Sequence, residues 1–209
     1  MAAESTENII TTTGNFSGAG AAGVGGAAGV NVVASETLST IGAGAELNAG
    51  GDVLVTAKNN SLVNINTYSG AGGGAAGVSG AVSVGVIITS TKAYVEDSDV
   101  NDPTEINASG TTRIRAESEE NVITTTASGA GGGAAGVSGA ISVKVINTTT
   151  QAGIGKNTKV NQDTAYDAPA QSVNVEALDR MTLVGVGGVG AGAGAAGVGA
   201  AADISVVWN

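Results

Sequence analysis

An all-β solenoid is the fold class that this sequence predicts, and three observations predict it. The first is repetition: Ser69 to Ala81, read S-G-A-G-G-G-A-A-G-V-S-G-A, returns unchanged at Ser128 to Ala140, with degenerate copies at Ser17 to Gly26 and Val189 to Ala201. A nearly pure Gly, Ala and Ser stretch that recurs in this way marks a repeat array, whose stacked units share one continuous core. The second is a period of two. From Gly70 to Ile88 the even positions carry Val78, Val82, Val84, Val86 and Ile88, and the odd ones carry Ala71, Ala75, Ser79, Ala81, Ser83 and Gly85. A helix has no use for that alternation. The third is composition: apolar residues are 42% of the chain and aromatic ones only 2%. Ala and Val supply most of the apolar set, so the core is thin and backbone must approach backbone.

The predicted architecture is a parallel β-solenoid, a right-handed β-helix, built from four Gly/Ala-rich repeats of about 54 to 61 residues over residues 1–209 as one domain. The hand follows from the handedness of parallel crossovers. Anchoring the copies on Ala-Ala-Gly-Val at Ala21, Ala75, Ala134 and Ala195 gives repeat lengths of 54, 59 and 61. Val24 to Ile41, Val78 to Val95 and Val137 to Ile154 each span 17 positions, and Leu47, Ile106 and Asp167 each stand 28 positions before the next anchor. The length difference then falls in Gly42 to Glu46, Glu96 to Glu105 and Gly155 to Tyr166. Two fixed segments and one elastic one imply a rigid scaffold with a single variable loop per repeat, all on one side of the stack.

Within the long alternating run both faces are compatible with burial, the aliphatic one as ordinary core and the small one where another layer lies near. Shorter alternating runs follow the variable segment: Val53 to Ala57, Thr112 to Ala116 and Val173 to Ala177. Their inward residues agree while Leu, Thr, Arg, Asn and Glu vary outward, as one solvated sheet face requires. Pro103 falls in a variable segment and Pro169 just after one, where a missing N–H harms no ladder. No long helix is expected. Each repeat is expected to hold two to three rungs of roughly twenty residues, rising about 4.8 Å per rung.

Composition also bounds function. With no Cys and no His, disulfides, thiolate metal sites and the commonest acid–base group are missing. Eighteen acidic against eight basic residues give a net charge of −10, which disfavours nucleic acid and anionic membrane surfaces. No long purely apolar run suits membrane insertion, and Met1 to Glu4 lacks the order of a signal peptide. Met1 reads as an introduced start and Asp203 to Asn209 as a strand pattern without a polar cap, so the chain is expected to be a piece of a longer array.

The run Gly70 to Val84, with Thr91 to Val95 and Gly50 to Ala57, resembles the repeat region of the large leukotoxin-type filamentous adhesins of anaerobic bacteria. The resemblance covers nearly the whole chain. It implies a β-helical stalk from a very long secreted or surface-attached protein exported by a type V or two-partner route, and hence an extracellular or bacterial cell-surface location. It carries no catalytic residue over to this chain.

Several residues invite chemistry. Glu96 to Asp102 is the densest acidic cluster, and Asp97, Asp99 and Asn101 alternate oxygen ligands as a calcium loop does. Asp102 stands where an EF-hand needs Gly and Ala108 where it needs a bidentate Glu, so the cluster reads first as a solvated loop. Glu117, Glu119 and Glu120 read as a charged turn. Gly72 to Gly74 lack the Gly-Lys-Ser/Thr of a phosphate loop. Threonine triplets at Thr11 to Thr13, Thr124 to Thr126 and Thr148 to Thr150 suggest a flat ladder of the ice-binding or self-assembling kind, although Ile65-Asn66-Thr67 and Gly185-Val186-Gly187 interrupt it. Trp208 aligns with Ile88 and Asn147 and reads as incidental packing at that rung. The candidate partner-binding set is Glu96, Asp99, Asp102, Lys156, Lys159, Asp163 and Tyr166, on loops 96–105 and 155–166 acting side by side.

The functional expectations follow. The first is a stalk segment that projects a distal region and contacts mainly neighbouring repeats. The second is a binding module for a host cell surface, extracellular matrix or bacterial partner. An enzyme is not expected, because no convergent carboxylate pair recurs. Unpaired strand edges at the ends predict end-to-end self-association that strengthens as pH falls toward the acidic pI.

Overall fold

The computed structural model describes residues 1–209 and is all-β, with parallel sheets of the solenoid type. In chain order the strands are β1 (Ala2–Ala19), β2 (Ala22–Ile41), β3 (Glu46–Ala49), β4 (Val53–Gly73), β5 (Ala76–Val95), β6 (Thr104–Ala108), β7 (Thr111–Gly132), β8 (Ala135–Ile154), β9 (Thr158–Val160), β10 (Ser172–Ala193) and β11 (Ala196–Trp208). One turn of 3-10 helix, Thr164–Tyr166, lies between β9 and β10. The first long sheet has the order β1-β4-β7-β10, the second β11-β8-β5-β2, and a short third sheet β3-β6-β9.

Each circuit of the chain is one wide rung and not two or three narrow ones. A long strand of the first sheet turns at a Gly-Ala corner into a long strand of the second, and a short strand closes the opposite end. The registers prove the width: Ala2 pairs with Thr56, Val53 with Thr112 and Ser172 with Thr111. The anchor motif is the corner itself, and its backbone also stacks, with Ala75 N donating to Ala21 O at 2.7 Å and Ala134 N to Ala75 O at 2.8 Å.

Glycine is what permits so wide a rung. A Cβ on Gly77 would lie 2.3 Å from the Gly131 carbonyl oxygen, and one on Gly23 would lie 2.2 Å from that of Gly72. The two long sheets therefore press backbone against backbone near the corner, with no room for a third wall. Farther from the corner side chains separate them. Val33, Val63, Ile65, Ile87, Val122 and Ile146 form one apolar cluster. A larger one, including Ile41, Val55, Val95, Ile106 and Ile114, fills the junction of all three sheets.

The parity of the long strands reverses one expectation. In β5 the small odd residues point inward and are buried, while Val78, Val82 and Ile88 point outward and are 42–46% exposed. Near the corner, side chains as large as Val on the inner face would hold the sheets apart, so Val78 and Val82 are left outside, while farther along the strand Ile87 turns inward. The short runs behave as expected: Val55, Ile114 and Val175 share one inward register, as do Ala57, Ala116 and Ala177.

The variable segment also needs correction. Ile41, Val95 and Ile154 do align, and Leu47 pairs with Ile106, but Ile106 pairs with Val160 and not with the position of Asp167. Length therefore varies at two places on either side of the short strand. Residues 96–103 are the long insertion before it, whereas the third circuit has only 155–157 there and carries its extra length after β9, in 161–171.

Candidate functional site

The two acidic and basic loops meet beside the short sheet. Asp97 Oδ1 accepts from the Lys156 backbone N–H at 2.7 Å, with Lys156 Nζ 4.0 Å from Asp97 Oδ2. Ser98 N donates to Lys156 O at 3.0 Å, and Asn157 Nδ2 donates to Ser98 O at 2.7 Å. Asn157 holds a left-handed backbone, φ 55°, which turns its amide toward Ser98. Below this clip, buried Ser98 and Thr104 join their hydroxyls at 2.7 Å, and Lys159 Nζ donates to Glu105 at 2.9 Å.

The clip brings Asp97, Lys156, Glu105 and Lys159 together but disperses the oxygen ligands. Asp99 Oδ1 is taken by the backbone and side-chain N–H groups of Asn101, at 2.8 and 3.0 Å. Asp102 leans over Gly44, whose φ of 69° bends the preceding circuit beneath it. Nowhere do three Asp, Glu, His or Cys residues converge on one point. Glu96 is partly covered at the start of the loop. Asp163 caps the 3-10 turn through Ala165 N at 2.9 Å, and Tyr166, partly covered, gives its carbonyl to Gln171 Nε2 at 3.0 Å. Asp163 and Tyr166 thus belong to the second insertion, 161–171, beyond the short strand β9 from Lys156.

The remaining candidates fall differently from expectation. Glu117, Glu119 and Glu120 lie in the middle of β7 and not in a turn. Glu117 points outward and pairs with Arg115 at 2.9 Å and Arg180 at 3.0 Å, and Glu119 is exposed. Glu120 points inward and is 1% exposed. Gly73 and Gly74 form the corner, where a Cβ would lie within 2.0 Å of Ala76 O and 2.2 Å of Gly20 O, so close approach and not anion binding accounts for them. The threonine triplets split between faces: Thr124 and Thr126 are buried, and only Thr125 between them faces outward. No flat threonine ladder forms. Trp208 keeps its predicted alignment with Asn147 and Ile88, but it is 57% exposed on the outer face.

Sequence reasoning missed two buried polar groups and one surface. Burial, the largest influence, pushes the Glu120 carboxyl up from its ordinary value of 4.5; a hydrogen bond from Ser118 opposes that and the charge of Asp179 adds to it. Thr148 donates to Asp179 at 3.1 Å, while Glu120 Oε2 and Asp179 Oδ1 have no partner. Lys144 is wholly buried and pairs with Asp203 above Gly185, where any Cβ would collide with that pair. The signal for both was parity, since Glu120 alternates with Val122 and Lys144 with Ile146 on inward positions. The missed surface is the outward face of the second sheet, where β2, β5, β8 and β11 stack valine on valine.

No family model matches the chain, and neither the curated proteins nor the solved structures include one that is similar to it.

Proposed function

We propose that this chain is a structural segment of a bacterial surface-exposed or secreted filamentous protein of the leukotoxin-adhesin type, coiled right-handed in four repeats. Its work is mechanical and not catalytic: it projects a distal region and contacts chiefly its neighbouring repeats. The observation that carries this reading is the continuity of the ladders. Neighbouring long strands pair without a break over 18 to 22 residues from β1 to β10, and both long sheets keep an unpaired edge at either end. Such a scaffold extends by adding rungs and needs no special residue to do so. The single wide rung makes the segment a broad blade, because each repeat adds only about 4.8 Å along the axis.

A second reading rests on one observation, the clip between residues 96–103 and 155–157, which presents Asp97, Lys156, Glu105 and Lys159 on one edge. In that reading the edge binds a host or bacterial surface partner. One experiment separates the two. The chain is placed between a bacterial surface anchor and a tip of known ligand, with the loop 96–103 cut to the length of 42–45. Unchanged capture through the tip, and no capture without it, support the spacer. Host-cell capture without a tip that is lost on shortening the loop supports the binding module.

A further inference from the structure

The outward face of the second long sheet is a continuous apolar surface that nothing in the molecule covers. Its outward positions run from Ala22 to Ala34 on β2, Ala76 to Ile88 on β5, Ala135 to Asn147 on β8 and Ala196 to Trp208 on β11, in matched register. All are Gly, Ala, Val, Ile or Trp except Asn147, and none is charged; the first charges, Glu36 and Lys92, stand just beyond the boundary. Valines on this face are 42–73% exposed at Val24, Val30, Val78 and Val82.

We propose that this face is a self-association surface, on which a second copy of the chain packs sheet to sheet about a two-fold axis. Three observations select a second copy as the occupant. The first is area. Thirteen residues of strand, about twelve steps of rise, by four strands make a patch of about 40 Å by about 19 Å, roughly 760 Å². That matches the ~800 Å² per partner of a stable interface and exceeds the ~300–600 Å² of the largest patch on an ordinary monomer. The second is charge. The chain carries a net charge of −10, all of it off this patch, so two such faces meet without apposing like charges within the contact. The third is relief. Val30, Val84, Val143 and Ile204 form a ridge across the strands, and Gly26, Gly80, Gly139 and Ala200 form a furrow four residues before it. The furrow opens into a groove of about 400 Å³ walled by Val82, Ile141 and Ala202. A two-fold axis running across the strands at the level of Ala28, Val82, Ile141 and Ala202 sets the ridge of one copy in the furrow of the other and keeps the whole patch in contact, as an isologous interface requires. This pairing is lateral, so it is independent of whether the segment serves as a stalk.

Sedimentation velocity over a range of concentrations tests it, on the intact chain and on Val84→Lys/Val143→Lys. The expected result is a dimer whose dissociation constant rises at least about a hundredfold in the double variant, because the contact would then bury unpaired like charges. The chain has no cysteine, so single substitutions provide a second readout with a flexible bis-maleimide. Val143→Cys should cross-link into dimers, and Thr125→Cys on the opposite sheet should not; this holds even where the lysine variant fails to fold. A strict monomer, an association untouched by the lysines, cross-linking from Thr125→Cys alone, or a monomer that instead partitions onto neutral phosphatidylcholine vesicles overturns the proposal.

Discussion

At Gly77 a single methyl group decides whether the two long sheets can meet. Its Cβ would stand 2.3 Å from the Gly131 carbonyl, a backbone atom that cannot swing aside, whereas a Cβ on Gly131 itself meets nothing within 4 Å. Gly77→Ala should therefore cost about 1–3 kcal/mol through overpacking, and Gly131→Ala should stabilise by about 0.5–1 kcal/mol by removing backbone freedom from the unfolded chain. Urea denaturation of both variants checks the pair, and equal effects would contradict the close packing. Glu120 gives the second residue-scale prediction. Burial keeps its carboxyl protonated to a higher pH in the folded state than in the unfolded one, so folding favours proton uptake. That contribution is complete below the ordinary carboxyl range and is lost as pH rises through the elevated folded value. Glu120→Gln should raise the urea midpoint at neutral pH and leave it little changed near pH 4, with Ser118, Thr89 and Asp179 still in place around it. The letters alone identify glycine as the price of close approach, but which glycines in a run touch backbone depends on the facing sheet.

At the scale of elements, alternation was readable and its sense was not. The period of two in β5 located the strand and its register against β2 and β8, yet the aliphatic half turned out to face solvent. Inner volume made that choice: near the corner the two middle circuits place only Gly, Ala and Ser between the sheets. Lys144 in β8 shows the same logic from the other side, because it is buried over Gly85 where a small residue stands in the preceding circuit. Asp203→Ala would leave that ammonium without its partner, at a cost of about 2 kcal/mol, moderated because Asp203 keeps some solvent contact. Lys144→Met should restore part of the loss in the double variant, read by denaturant unfolding; no restoration would mean the pair contributes little. The insertions were legible as a total length but not by place, since β9 offers three residues without a distinctive pattern and only its pairing with β6 shows where it lies.

Over the whole molecule the open edges matter most. Met1 donates to Leu54 O and accepts from Thr56 N at 3.0 Å, so along β1 the odd-numbered residues bond inward and the even-numbered ones turn their N–H groups to the open edge. Thr6→Pro should preserve the fold and weaken end-to-end stacking, which in the unmodified chain should strengthen as pH falls toward 4.2, where the net charge vanishes. Sedimentation at neutral and mildly acidic pH reads both effects, and a pH-independent monomer would contradict them. By itself the sequence determined that the chain is a parallel all-β array and which residues of its long runs align from circuit to circuit, because identical letters at a fixed spacing satisfy the same ladder in every copy. Only the tertiary structure decided the width of the rung, the outward turn of the valines, the burial of Glu120 and Lys144 and the docking of the two loops. These depend on how near two sheets can come, a distance set jointly by residues about ten to fifty positions apart and written in no one stretch of the chain.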